Sequence, residues 1–439
     1  MPKSAQGMQD LSRESLARNL NLNFEDFNRL LSSANYAYEV IKKLGPFYGQ
    51  EGNNEPTFRI PAEAVHIPLS SKKILDELGE DLLHLAKALK SLPDNVKAML
   101  PEELDYRIPP TWRADVILDQ EGRMRVNEIE GQDGASALMV AEQIAYKLQT
   151  LSESTAAELA STLKKICHHV RPGPCRIAHI RVDNQHNTNA DRFIEFIHTV
   201  SKESVAIDHI NENAVISGEI KPQWDTYAGA IIETSYAPQK FYDLGLKQDR
   251  VISVGIHNTF VNKGVFALFF DKQLEGFWRE QLGIERFSRL FEILIPSHFI
   301  DTPRELKEAR EQGKVVKVSW AGERAHLVNR SKGVAIPDDS VEQGIDERWD
   351  TLDELLKQGV KMIAQDYIVP RKISSYLRKK GTNLEYIDWY NRICVKYVTR
   401  GNPNEDILPT VALTATEVTL GPEVVPAGRK CAFTAGVFK

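Results

Sequence analysis

Apolar positions along this chain change their period several times, and each change predicts a different kind of element. From Phe24 to Lys43, residues Phe27, Leu30, Leu31, Ala34, Ala37, Tyr38 and Ile41 recur at helical spacing. Ile74 to Leu92 repeats that stripe before Pro93. Ala114 to Asp119 and Met124 to Ile129 instead read as two strands around Glu121-Gly122, where glycine supplies the positive φ of a two-residue turn. Helices are expected again from Ala135 to Leu148 and from Thr155 to Val170, the second opened by a Thr155…Glu158 capping box. Arg171-Pro-Gly-Pro174 then breaks the chain.

Beyond that break, strand and helix patterns alternate. Strands are expected at Arg176 to Val182, Ser204 to Ile207, Ala228 to Ile232 and Val251 to Ile256, with a helix at Ala190 to Val200. Such alternation predicts a small, mainly parallel open sheet. No glycine occurs from Asp183 to Asn189, so the stretch after the first strand lacks a dinucleotide fingerprint. Further on, Thr302-Pro303-Arg304-Glu305 opens a helix that Gly313 closes. A strand from Lys314 to Trp320 turns at Ala321-Gly322 toward a return strand at Ala325 to Arg330. Thr351…Glu354 is expected to cap a helix ending at Gly359, and Lys361 to Val369, Tyr386 to Thr399 and Val411 to Val418 read as extended. The class is α/β, with α+β character in parts. Four segments follow: a helical 1–104, the hairpin and its helices at 105–174, a small Rossmann-like unit at 175–260, and 261–439.

Composition narrows the function classes. Of 439 residues 42% are hydrophobic and 26% charged, and the net charge is -6, which argues against nucleic acid or an anionic membrane as the main partner. No apolar run approaches the roughly 20 residues of a membrane span. The opening residues carry no apolar signal segment, and the four cysteines (Cys167, Cys175, Cys394, Cys431) suggest a reducing cytoplasm.

The hairpin carries the chemistry. With Gln120 opposite Arg123, Asp115 faces Glu128 and Arg113 faces Glu130, all on one side of the ribbon. Opposed side chains sit about 5 Å apart, so the carboxylates repel unless a cation lies among them. Arg113 is one such cation. A divalent ion held by Asp115, Glu128 and Glu130 is the other, and hard oxygen donors suit Mg²⁺. A solvated, charged hairpin edge is the plainer alternative.

Three later sites complement it. Lys263 opens the apolar stretch Gly264 to Phe270, and Lys317 lies in the apolar strand Val315-Val-Lys-Val-Ser319. A buried ammonium needs an anionic partner, and phosphate is a natural one; each lysine alone also fits a snorkelling role. The backbone of Gln365-Asp366-Tyr367-Ile368 can meet an adenine edge and its carboxylate a ribose. Cys167-His168-His169…Cys175 has metal-binding residue types, but adjacent histidines on a helix face different ways, so a helix end is preferred over zinc. Trp112 reads as core, and His257-Asn258 as a loose candidate near Lys263.

Arg-x-Asp, then Glu-x-Glu, then Asn262-Lys263, a strand lysine and a Gln-Asp-Tyr-Ile hinge together resemble the circularly permuted ATP-grasp enzymes, of which glutathionylspermidine synthase is one. In ordinary ATP-grasp chains the metal carboxylates follow the nucleotide lysines; here they precede them. The resemblance covers roughly residues 105 to 439 and implies a permuted ATP-grasp with an inserted open α/β sheet and a helical N-terminal region. It implies a cytoplasmic ligase of small-molecule or peptide carboxylates and amines, with ATP and Mg²⁺ as cofactors. Asp115, Glu128 and Glu130 would hold metal, Arg113 would steady the transferred phosphoryl, and Lys263 and Lys317 would bind phosphates. Gln365, Asp366, Tyr367 and Ile368 would frame the adenine, and Arg392 or Arg429 would add a cation. Two departures stand out: Glu130 replaces the family's usual asparagine, and Ala321 to His326 holds a single glycine where the phosphate flap has several. A catalytically degenerate binding or scaffold protein is the alternative, and a phosphotransferase using the same metal site a third.

Overall fold

The computed structural model describes residues 14–44, 59–100, 104–131, 136–170, 175–181, 188–202, 204–234, 236–320, 334–336, 345–379, 383–400, 410–421 and 432–439. It is a mixed α/β structure whose strands form three sheets. The largest contains β1 (Val65–Ile67), β2 (Thr111–Leu118), β3 (Met124–Gly131), β12 (Lys372–Lys379), β13 (Asn383–Arg400), β14 (Thr410–Gly421) and β15 (Ala432–Phe438). Their order is β1-β15-β14-β13-β2-β3, with β12 on the first half of β13. Its pairs are antiparallel except β1 on β15.

β2 is buried along its whole length, but its two faces differ. Trp112, Ala114, Val116 and Leu118 enter the main core with the helix Leu69–Lys90. Trp112 stacks on Tyr397 at 4.4 Å between ring centres and meets Phe260 edge-on at 5.2 Å. The Tyr397 hydroxyl donates to Leu75 O at 2.6 Å. That helix approaches the sheet closely because position 79 is glycine: a Cβ there would stand 2.6 Å from the Tyr397 ring. Trp112 is therefore core, as expected. The opposite face presents Arg113 and Asp115, which demands compensating partners.

The expected helix at Phe24 spans Phe24–Leu44 and buries the seven predicted stripe residues. Thr155–Val170 has the expected ends but a different start signal. Its predicted capping box is displaced to Thr150 and Glu153, which close a short 3₁₀ turn before it. Thr155 Oγ1 instead bonds Thr414 Oγ1 at 2.9 Å, and Glu158 pairs with Arg400 at 2.7 Å. Tertiary partners have claimed both side chains. Thr351 and Glu354 fall inside the helix Ile345–Lys357, so they cap nothing. The Thr302/Glu305 box is formed as expected.

The second sheet comprises β4 (Cys175–Arg181), β5 (Val205–Asn211), β6 (Gly229–Glu233) and β7 (Val251–Ser253), all parallel in the order β5-β4-β6-β7. A disulfide joins Cys167 to Cys175, tying the preceding helix to its first strand. This pairs two of the four cysteines and removes both sulfurs as zinc ligands. Cys394 is a buried free thiol.

The third sheet is antiparallel: β8 (Ser297–Ile300), β9 (Val315–Trp320), β10 (Val334–Ala335) and β11 (Lys361–Gln365), in the order β10-β9-β11-β8. β10 begins beyond the expected return strand and pairs Val334 with Lys317. The predicted return strand at 325–330, the flap at 321–326 and Arg429 lie outside the described residues. β11 ends at Gln365, short of the expected Val369. No helix among the described residues is long and apolar enough to cross a membrane.

Candidate active site

The hairpin reaches its expected pairing by two deviations that cancel. At the tip, Asp119 N bonds Arg123 O at 2.9 Å, so three residues, not two, form the loop. Gly122 takes the left-handed conformation there, φ 79°. The Asp119 carboxylate accepts from Glu121 N at 3.0 Å and Arg123 N at 2.8 Å, holding the loop shut. This offsets the pairing by one residue, and Val116 faces Val126. A β-bulge between Asp115 and Val116 then restores it, so Asp115 faces Glu128 and Arg113 faces Glu130. Without the bulge, both glutamates would turn to the opposite side.

Asn127 is the extra residue, and it has work of its own. Its backbone and side-chain oxygens accept from Lys317 Nζ at 2.9 and 2.7 Å, joining the third sheet to the hairpin. Lys263 Nζ meets Glu128 Oε1 at 2.6 Å. The neighbouring Asn262 accepts from Gly264 N at 2.7 Å and Ser319 Oγ at 2.8 Å, which fixes the Lys263 loop against β9. Arg113 Nε lies 2.7 Å from Asp115 Oδ1 and its Nη2 2.5 Å from Glu130 Oε2. Arg392, on β13, reaches Asp115 Oδ2 at 3.4 Å.

Burial opposes ionisation of Glu128, but Lys263, Lys317 and Arg392 overcome it and hold the carboxyl down at about 2. Glu130 is raised, because burial and the charges of Asp115 and Glu128 outweigh Arg113. Burial lowers Lys317 to about 8, with Lys263 and Arg392 repelling it and Glu128 and Asp115 attracting it.

The group fits a hard divalent ion. Carboxylate oxygens of Asp115, Glu128 and Glu130 lie within 4.8 Å of one another. Oxygens on opposite sides of Mg²⁺ stand ~4.2 Å apart, twice the usual bond length, so small rotations suffice. Charge adds a condition. Four cations (Arg113, Lys263, Lys317, Arg392) surround three carboxylates, leaving one positive charge in excess. A bare dication would raise that excess to three, so metal is welcome here together with a polyanion.

The other expected residues lie on the third sheet. Gln365, at the end of β11, donates to Ser297 Oγ at 3.2 Å, and Asp366 is ion-paired with Lys314. Tyr367 and Ile368 follow, half-buried. Asn258 is structural: it accepts from Phe260 N at 2.9 Å and donates to Arg107 O.

Three residues escaped the sequence reading. Asn127 is a bulge residue, and bulges leave little local signature. Glu142 and Glu417 do leave one. Glu142 stands in the helix Ser136–Ala145, whose other residues are almost all apolar, and Glu417 in the uncharged strand Val411 to Leu420. A lone charge in an otherwise uncharged, buried element demands a reason.

No family model matches the chain, and no curated protein matches it. Among solved structures, a glutathione synthetase-like effector from Globodera pallida, in its apo form, has a TM-score of 0.58 at 12% identity, covering 94% of this chain and 96% of that one. A protein from Methylobacillus flagellatus KT described as "Putative gamma-glutamylcysteine synthetase" gives 0.40 at 11% identity, covering 80% of this chain and 85% of that one. The first likeness shows a shared glutathione synthetase-like fold over nearly the whole chain.

Proposed function

We propose that the chain is an ATP- and Mg²⁺-dependent carboxylate–amine ligase with a circularly permuted ATP-grasp arrangement. The observation that carries this reading is the carboxylate trio of Asp115, Glu128 and Glu130 enclosed by Arg113, Lys263, Lys317 and Arg392. Such a site answers to a metal–polyphosphate complex better than to metal or anion alone. The likeness to a glutathione synthetase-like protein supports the same class.

In this reading Asp115, Glu128 and Glu130 hold Mg²⁺, which withdraws charge from the γ-phosphoryl group when bound. Lys263 exchanges Glu128 for a phosphate oxygen, and Lys317, anchored by Asn127, presents its ammonium beside it. Arg113 pairs with Asp115 and Glu130 and faces the transferred group. Gln365, Asp366, Tyr367 and Ile368 border the adenine. A substrate carboxylate oxygen forms a bond to the γ-phosphorus as the bond to ADP breaks. An amine then forms the C–N bond, phosphate leaves, and the amine gives up a proton. Charge placement and orientation do the catalysis, so no protein nucleophile is required.

Thermal unfolding with ATP, with and without Mg²⁺, tests the site. A ligand at a hundred times its dissociation constant adds about 2.7 kcal/mol to stability. A Mg²⁺-dependent shift in the wild type that Glu128→Gln abolishes is expected. No shift at millimolar nucleotide overturns the ligase and leaves a non-catalytic binding protein. Product analysis then separates ligation, which needs both an amine and a carboxylate, from simple phosphotransfer.

A further inference from the structure

Glu142 and Glu417 form a second acidic feature on the catalytic face of the large sheet. The sheet register sets them beside the trio: Glu128 faces Asp115, Asp115 faces Cys394, and Cys394 faces Glu417 on successive strands. Neighbouring strands lie ≈ 4.8 Å apart, so Glu417 stands ~10 Å from Asp115 along that row. Glu142 reaches the row from the helix Ser136–Ala145, which packs over β14. Met139 of that helix contacts Cys394 and Ala415, and Gln143 Nε2 donates to Thr416 O at 3.1 Å.

Both glutamates are buried, Glu142 at 0% and Glu417 at 1% exposure. Among the described residues, neither oxygen of Glu142 has a hydrogen-bond partner, nor has Oε2 of Glu417. The trio is ion-paired throughout, whereas no ion pair joins Glu142 or Glu417 to a cation among the described residues. A second feature points to a ligand. Thr419, two positions on and so on the same face as Glu417, has a fully buried hydroxyl that also lacks a partner there. Unpaired buried carboxylates are costly, and a fold that keeps two together, with an idle hydroxyl on the same face, calls for a donor.

We propose that Glu142, Glu417 and Thr419 receive a primary ammonium group carried by one of the ligase substrates. Three acceptor groups match the three N–H donors of an ammonium, and one positive charge between two carboxylates relieves their repulsion. The row then orders the substrate, with its ammonium end at Glu142 and Glu417 and its reacting end toward Asp115. This inference rests on the ligase reading for the word substrate, but the ammonium receptor can be measured without it.

The test is calorimetric titration of the full chain with ethylammonium and 1,4-diaminobutane, with tetramethylammonium as a cation that has no N–H donors. Each is run with and without MgATP on wild type, Glu142→Gln, Glu417→Gln and Thr419→Val. Saturable binding of the primary amines, weakened at least tenfold in both glutamine variants and less in Thr419→Val, is expected. Primary amines binding no better than tetramethylammonium, or equally to wild type and all three variants, overturns the receptor and leaves a pair that shares a proton. MgATP binding on the same samples reads the ligase proposal separately. If it persists while the amines fail, only the receptor falls; if it fails while the amines bind, only the ligase falls. Thr419→Val keeps the comparison alive if a glutamine variant does not fold.

Discussion

Glu128 and Glu417 lie in one row on one face of the same sheet, yet they ionise at opposite ends of the carboxylate range. Glu128 is held at about 2, against the pull of burial, by Lys263, Lys317 and Arg392. Glu417 is pushed up to about 7 by burial that Arg113, Arg392 and the Cys394 thiol only partly offset, with Asp115 adding to the rise. Glu142 is likewise raised well above its ordinary value by burial and by the charge of Glu417. Burial alone does not set a carboxylate's charge; the nearest cation does. The trio finds its counter-charges within the protein, and the pair has no ion-paired cation among the described residues.

The largest test of this contrast removes a cation from one set and a charge from the other. Arg113→Met leaves Asp115 and Glu130 without their shortest ion pairs and should cost about 3–5 kcal/mol in urea denaturation. Glu142→Gln removes an uncompensated carboxyl and should be neutral or stabilising in the ligand-free protein. Equal costs for the two variants would erase the distinction between the clusters.

A smaller effect lies in the pH dependence. Because the folded pKa of Glu417 is raised from 4.5 to about 7, the folded state binds the extra proton in that window. Stability from this group is therefore full below about pH 4.5 and is lost as pH rises through about 7, with a slope up to ~1.4 kcal/mol per unit. The charges of Arg113, Arg392, Asp115 and Glu142 and the Cys394 thiol act on it and shape the midpoint. Glu417→Gln should flatten the stability profile between those values, and an unchanged slope would mean that Glu417 is ionised throughout.

Local patterns in the sequence foretold local structure well. The Phe24 helix, the Thr302 capping box and the strands of the parallel sheet follow from periodicity and end signals that neighbours in sequence supply. The pairing of Asp115 with Glu128 was legible for a reason that was only half right, since a longer tip and an unforeseen bulge cancelled. Long-range choices were not legible. Nothing in Thr155 announces that it will bond Thr414 rather than cap its helix, and nothing in β2 names β13 as its neighbour. Arg392 and Glu417 therefore reach Asp115's row through pairings that no local pattern encodes, although Glu417 was visible as a lone charge in an uncharged strand.

The finest probe is the residue between the two sets. Cys394 faces Asp115 on one side and Glu417 on the other, and its thiol hydrogen-bonds Glu417. Burial raises the thiol far above its ordinary value, so it stays protonated and acts as a weak donor. Cys394→Ser puts a stronger donor at the same place, which favours the ionised form of Glu417. The midpoint of the pH-dependent stability change should then move below about 7, while overall stability alters by ~1 kcal/mol or less. A midpoint that stays in place would mean that Arg113 and Arg392, rather than the thiol, govern Glu417. The two carboxylate sets would then be coupled through their shared arginines and not through the rung that joins them.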